Sequence, residues 1–227
     1  KQVGYIIRNS RVLGDAVKEP DLFEARVVEV LGGATIDTQR EHIIERRATA
    51  LDLWILSGTL PQCFFCPGLP PSYRMYSVPL EHGAGYISLG FVFGPATAFE
   101  AEPAEVGDSA SKNLVIAYLS DVSAIPEASM TFLQSLKRID LLVVDLLLGP
   151  GETHFSHYCW NDAWNLVRVL RPVRVHGTGM FCTLEHEATN KLLAEQLQTE
   201  HKRGNCEGVE AFELAYDGLS MVVGAAQ

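Results

Sequence analysis

Basic residues are the minority charge in this chain. Its 227 residues hold 18 Lys and Arg against 28 Asp and Glu, a formal net charge of −10. Proteins that grip the phosphate backbone need a basic face, so this balance disfavours nucleic acid as a partner. A small anionic substrate stays open if a metal ion supplies the local positive charge. Nowhere does an apolar run reach the length of a bilayer span, and the start shows no leader pattern. No repeat of short period is visible. Cysteine is sparse and odd in number, at 63, 66, 159, 182 and 206. Such a set implies free thiols in a reducing compartment. The expected setting is cytoplasmic, with no membrane partner; oligomeric state is not legible. Cys63-Phe-Phe-Cys66 has no second pair to build a zinc knuckle. Pro67, Pro70 and Pro71 block the helix that a redox motif needs. Both thiols are therefore expected to be buried and inert.

A hydrophobic content of 47% with 20% charged residues is that of a globular chain. The length suits one α/β domain over residues 1–227. Strands are expected at Val3–Arg8, Leu51–Leu56, Tyr73–Leu80 and Tyr86–Phe93. Unbroken apolar strands, fit for a sheet covered on both faces, are expected at Leu114–Leu119, Leu141–Leu147 and Val173–Gly177. Helical patterns cover Leu22–Leu31, Glu127–Leu136, Tyr158–Leu170 and His186–His201. Thr38–Ala50 reads as helix or surface loop, and Pro95–Lys112 as an acidic exposed insert. Phe212–Tyr216 and Leu219–Val223 suggest a hairpin across Asp217-Gly218. The alternation of strands and helices implies two mixed sheets with outer helices.

The chemistry gathers at strand ends. The run Asn113–Leu119 delivers Ser120 and Asp121 to its C-terminal end, and Pro126 and Glu127 then open a helix. A carboxylate at such a mouth is well placed to serve a site. It also serves as an ordinary turn cap. His82 likewise follows an apolar strand. His154 and His157 lie at a helix start, where Thr153 or Ser156 could cap the helix and leave both imidazoles solvated.

Five segments, in order, resemble the metallo-β-lactamase fold, in the branch of cyclic-phosphoribose phosphodiesterases and their uncharacterised eukaryotic relatives. They are Val78-Pro-Leu-Glu-His82 with Gly85–Phe93; Ile139-Asp-Leu-Leu-Val-Val-Asp-Leu146; Thr153-His-Phe-Ser156; Arg171–Met180 with Leu184-Glu-His186; and Ala215-Tyr-Asp-Gly218. The strand ending in Asp121 fits the same pattern. The resemblance implies a four-layer αββα sandwich of two mixed sheets. It further implies two divalent metal ions, zinc or manganese. Asp121 would bridge them, His82 would bind one, and His154 would give a proton to the leaving group. His154 and His186 would face the substrate, while His157 is expected on the surface.

The chain also departs from the family. The hallmark His-x-His-x-Asp-His is absent. Leu51–Leu56 resembles the strand before it, so Gly58, Leu60, Gln62 and Cys63 would stand in for the four ligands. Gly179 and Cys182 occupy a loop where His is expected, and Leu148 replaces a usual Arg. As a thiolate, Cys182 could stand in for imidazole and would favour zinc. As a neutral thiol it would fill space beside Met180 and Phe181, which is the preferred reading. Either the metal centre has been lost, or residues are missing from the sequence between 33 and 78; Lys1 as first residue suits the second. Without the full ligand set, metal should bind weakly or not at all. The leading functional expectation is a metal-dependent hydrolase of a small phosphodiester, cyclic phosphates included. The alternatives are an inactive relative that binds a ligand, and a thioester or lactam hydrolase.

Overall fold

The structure is a computed structural model that describes residues 5–8, 52–55, 59–64, 72–99 and 114–221. The expected helix at 22–31, the segments 38–50 and 65–71, and most of the acidic insert lie outside the described residues. The chain divides into two compact units, Lys1–Gly58 and Thr59–Gln227. In the first, strands β1 (Tyr5–Arg8) and β2 (Asp52–Ile55) pair antiparallel, with Tyr5 opposite Ile55.

The second unit is a mixed α/β structure, as the alternation of apolar runs and helical patterns predicts. Its seven-stranded sheet has the order β3 (Gln62–Phe64), β4 (Tyr73–Glu81), β5 (Ile87–Pro95), β6 (Ile116–Leu119), β7 (Leu141–Asp145), β8 (Arg174–Thr178) and β9 (Ala211–Leu214). β3 to β6 pair antiparallel, whereas β6 to β9 run parallel. The three apolar strands read from sequence are thus adjacent in one sheet. Parallel neighbours need crossovers, which helices α1 (Glu127–Ser135), α2 (Trp160–Leu170) and α3 (His186–Lys202) supply.

Side chains alternate across a strand, so the register decides which residues share a face. Ala117, Leu142, Val175 and Phe212 form one cross-strand row, and Leu119, Val144, Gly177 and Leu214 the next. All eight are buried. The apolar sides of the three helices join this face in a single core, including Leu133, Trp164, Val167 and Leu193. Trp164 is 1% exposed and its ring lies 4.9 Å from that of Phe212. Full burial of each large apolar side chain contributes about 1.5–3 kcal/mol.

Two expectations need correction. The terminal hairpin keeps its turn, where Leu219 N donates to Tyr216 O at 3.0 Å. Its second arm does not form among the described residues. β9 pairs instead with β8, because the α3 crossover returns the chain parallel to it. Cys63 is exposed rather than buried, since β3 is an edge strand with one neighbour; Cys66 lies outside the described residues.

Candidate metal centre

β4 runs parallel to β6, because each is antiparallel to β5 between them. The C-terminal ends of β4, β6, β7 and β8 therefore open at one edge of the sheet. Ligands of parallel sheets bind at this edge. His82 follows β4, Asp121 follows β6, Asp145 ends β7, and Gly179 follows β8.

The end of β4 is tied to the loop after β6. Ser123 N donates to Glu81 O at 2.6 Å, and Glu81 N to Ala124 O at 2.9 Å. Gly83 N donates to Ser123 Oγ at 2.9 Å. Asp121 is held with φ at +55°, a left-handed conformation that Asp tolerates better than most residues. Ser88 Oγ donates to its carbonyl at 2.6 Å. The carboxylate itself projects outward, with its side chain 64% exposed.

The third member is His157. The chain between β7 and α2 folds back across the sheet edge. Leu147 N donates to Tyr158 O at 2.9 Å, and Tyr158 N to Val122 O at 2.6 Å. Cys159 N donates to Asp162 Oδ2 at 3.1 Å, so α2 starts two residues later than expected. This path brings His157 to the site, against the expectation of a surface position. His82, Asp121 and His157 each offer a ligand atom within 4.8 Å of the other two. It is the one such group of three or more among the described residues.

The hydrogen bonds fix how the two imidazoles present themselves. His82 Nδ1 lies 2.8 Å from Ser156 O, a carbonyl that can only accept. Its proton is therefore on Nδ1, and Nε2 keeps a free lone pair. His157 Nδ1 lies 2.8 Å from Asp145 Oδ2. That carboxylate also accepts from Val122 N at 2.9 Å and, through Oδ1, from Ser120 Oγ at 3.0 Å. Asp145 is 1% exposed, and a buried carboxylate persists only with such partners. Histidines that bind metal are typically oriented this way, with the far ring nitrogen on a carbonyl or carboxylate.

Two imidazoles and one carboxylate on one side fit a single divalent transition metal with positions left open. Bonds of about 2.1 Å put neighbouring donors about 3.4 Å apart in a tetrahedral site. Closing from 4.8 Å takes a small side-chain turn, and exposed Asp121 is free to make it. Sequence reasoning gave two of these ligands, and hence weak binding; the third comes from His157.

The remaining candidates fall elsewhere. His154 is adjacent, its ring 5.4 Å from that of His157, with Nδ1 3.3 Å from Ser156 Oγ. Cys182 is exposed and outside the group of three. His186 opens α3, where Asn190 and the Tyr216 ring contact it, and it too is outside the group. Neither Leu60, Gln62 nor Cys63 belongs to it. Gly179 has φ of +71°, and a Cβ there would lie 3.1 Å from Asp145 Oδ1. A larger residue at 179 would crowd the carboxylate that orients His157. Asp145 itself was missed, although Leu-Leu-Val-Val-Asp shows the same signal as Asp121: a charge ending an apolar strand.

No family model matches the chain, and no curated protein does. Among solved structures it is similar to a diphosphatase from the PhnP family, at 23% identity and a TM-score of 0.47, over 71% of this chain and 46% of that one. It is similar also to the metallo-β-lactamase-fold protein YhfI from Bacillus subtilis, at 12% and 0.42, over 70% and 51%. A third is isothiocyanate hydrolase from Delia radicum gut bacteria, at 14% and 0.44, over 69% and 57%. The chain spans about half the length of these structures. YhfI has the fold that the sequence motifs resemble. At these scores the likeness says nothing of activity, and the reading of the site rests on its own geometry.

Proposed function

We propose that this chain is a metal-dependent hydrolase and that its substrate is a small phosphodiester, cyclic phosphates included. The convergence of His82, Asp121 and His157, with both histidines held in the metal-ready tautomer, carries this reading. The sequence resemblance supports the phosphodiester. A divalent ion, zinc or manganese, would supply Lewis acidity at the phosphoryl oxygen and ionise water near neutral pH. The chain's own residues do the rest. Ser156 O and Asp145 hold the Nδ1 protons of His82 and His157, so both Nε2 lone pairs point away from those partners. Asp121 contributes the anionic donor. In His154, Nδ1 faces the backbone N–H of Ser156 at 3.4 Å as an acceptor. Its proton then sits on Nε2, available to a leaving oxygen.

The test is release of 4-nitrophenol from bis(4-nitrophenyl) phosphate by the full chain loaded with zinc or manganese. We expect turnover that a chelator abolishes and that His157→Ala lacks. Metal bound at full occupancy without turnover of any phosphodiester would contradict the hydrolase reading and favour a binding protein.

A further inference from the structure

Phe155 is the most exposed large apolar side chain among the described residues, at 81%. It sits inside the site's own loop, between His154 and Ser156. Its ring centroid is 4.7 Å from that of His154. The ring also lies against the turn after β4, 3.7 Å from where a Gly83 Cβ would be. Three residues after Gly83, Tyr86 is 57% exposed, its ring 6.0 Å from that of His82. The imidazoles of His82 and His157 stand 4.6 Å apart. Tyr86, His82, His157, His154 and Phe155 are thus linked by successive ring contacts, with the exposed Phe155 and Tyr86 rings flanking the metal-binding histidines in that sequence of contacts.

An aromatic ring exposed to this degree gains nothing for the core. Left in water, it is a surface that favours a flat apolar partner. We propose that Phe155 forms a stacking subsite for a planar aromatic group of the substrate, a nucleobase or an aryl ring. The chemistry rests on the hydrolase reading above; the subsite itself rests on the geometry. Phe155 adjoins His154, and His154 adjoins His157, with ring centroids 4.7 and 5.4 Å apart. A base stacked on Phe155 would place the rest of a nucleotide beside the metal-binding group. The exposed charge of the group, on Asp121, is acidic, so base stacking rather than a basic clamp would hold the ligand.

The experiment compares two diesters with the same leaving group, thymidine 5′-(4-nitrophenyl phosphate) and methyl 4-nitrophenyl phosphate. Stacking on one aromatic ring makes KM about tenfold lower for the thymidine ester. Phe155→Ala should collapse that ratio toward one, and Phe155→Trp should keep it. Equal KM values in the wild type, or a ratio unchanged in Phe155→Ala, would overturn the subsite. If neither diester is turned over, the hydrolase reading fails and the subsite is tested by binding alone. Thymidine 5′-monophosphate should then bind about tenfold tighter than inorganic phosphate to the metal-loaded chain, a difference lost in Phe155→Ala. Equal binding of the two would overturn it.

Discussion

Two groups of charged side chains in this protein use similar chemistry to opposite ends. One is the knot around Glu200 on α3. Glu200 is fully buried, and Arg168 of α2 grips it with two bonds of 2.9 and 3.1 Å. Asn205 and Gln196 each add a bond of 2.8 Å. The bond from Arg168 comes first among the causes that hold the Glu200 carboxyl at about 2. Every lone pair has a donor, so the group can only pin α2 to α3. The other is the sheet-edge group. There Asp145 is saturated in the same way, but Asp121 leaves its carboxylate to solvent, and His82 and His157 each have one ring nitrogen committed to the protein and one uncommitted. A saturated cluster is structure; a cluster that orients its donors and leaves one side of each open is ready for a ligand.

The largest expected effect lies at the open cluster. Asp121→Ala or His157→Ala leaves two protein donors, too few to retain an ion. Metal content after dialysis should fall from about one ion per chain to near zero, while the far-ultraviolet circular dichroism is unchanged. Loss of the fold together with the metal would mean that the cluster is structural.

The saturated knot should respond in stability rather than binding. Glu200→Ala strands Arg168 and should cost about 3–5 kcal/mol in denaturant unfolding, with metal content unaffected. The pH dependence has a definite sign. The folded carboxyl sits at about 2, below its unfolded value near 4.5. Its stabilisation is full above about pH 4.5 and is lost as pH falls toward 2. Glu200→Gln should flatten that part of the stability profile; an unchanged profile would place the acid sensitivity elsewhere.

Asp145 joins the two behaviours, being saturated itself yet serving the open cluster. Asp145→Asn should weaken metal affinity by about 10–100-fold, read by competition with a chromogenic chelator. Unchanged affinity would show that His157 needs no such partner. The smallest effect belongs to Cys182→Ser, which should leave metal content unaltered because Cys182 stands outside the cluster.

The same contrast explains what the sequence could disclose. The central strands and the three helices were legible because unbroken apolar runs and helical spacing are local signals. Asp121 and His82 were legible because each ends an apolar strand and stands at a ligand position of the fold that the sequence resembles. His157 was not: three residues before α2, it looked like a solvated helix-start histidine. Its position depends on backbone bonds from Leu147 and Tyr158 that join segments far apart in sequence. Asp145 carried a local signal but read as the end of a core strand, since nothing nearby marked its partner. Cys182 attracted notice by standing where a ligand was expected. The structure instead uses the space beside Gly179 for the Asp145 carboxylate.

The most direct test of the account is a titration of the full chain, stripped of metal, with cobalt(II), followed by visible absorption and calorimetry. The account predicts saturation at about one ion per chain, with a d–d band of nitrogen and oxygen ligation that His82→Ala and His157→Ala each abolish. Absence of binding, or binding that persists undiminished in His157→Ala, would contradict it.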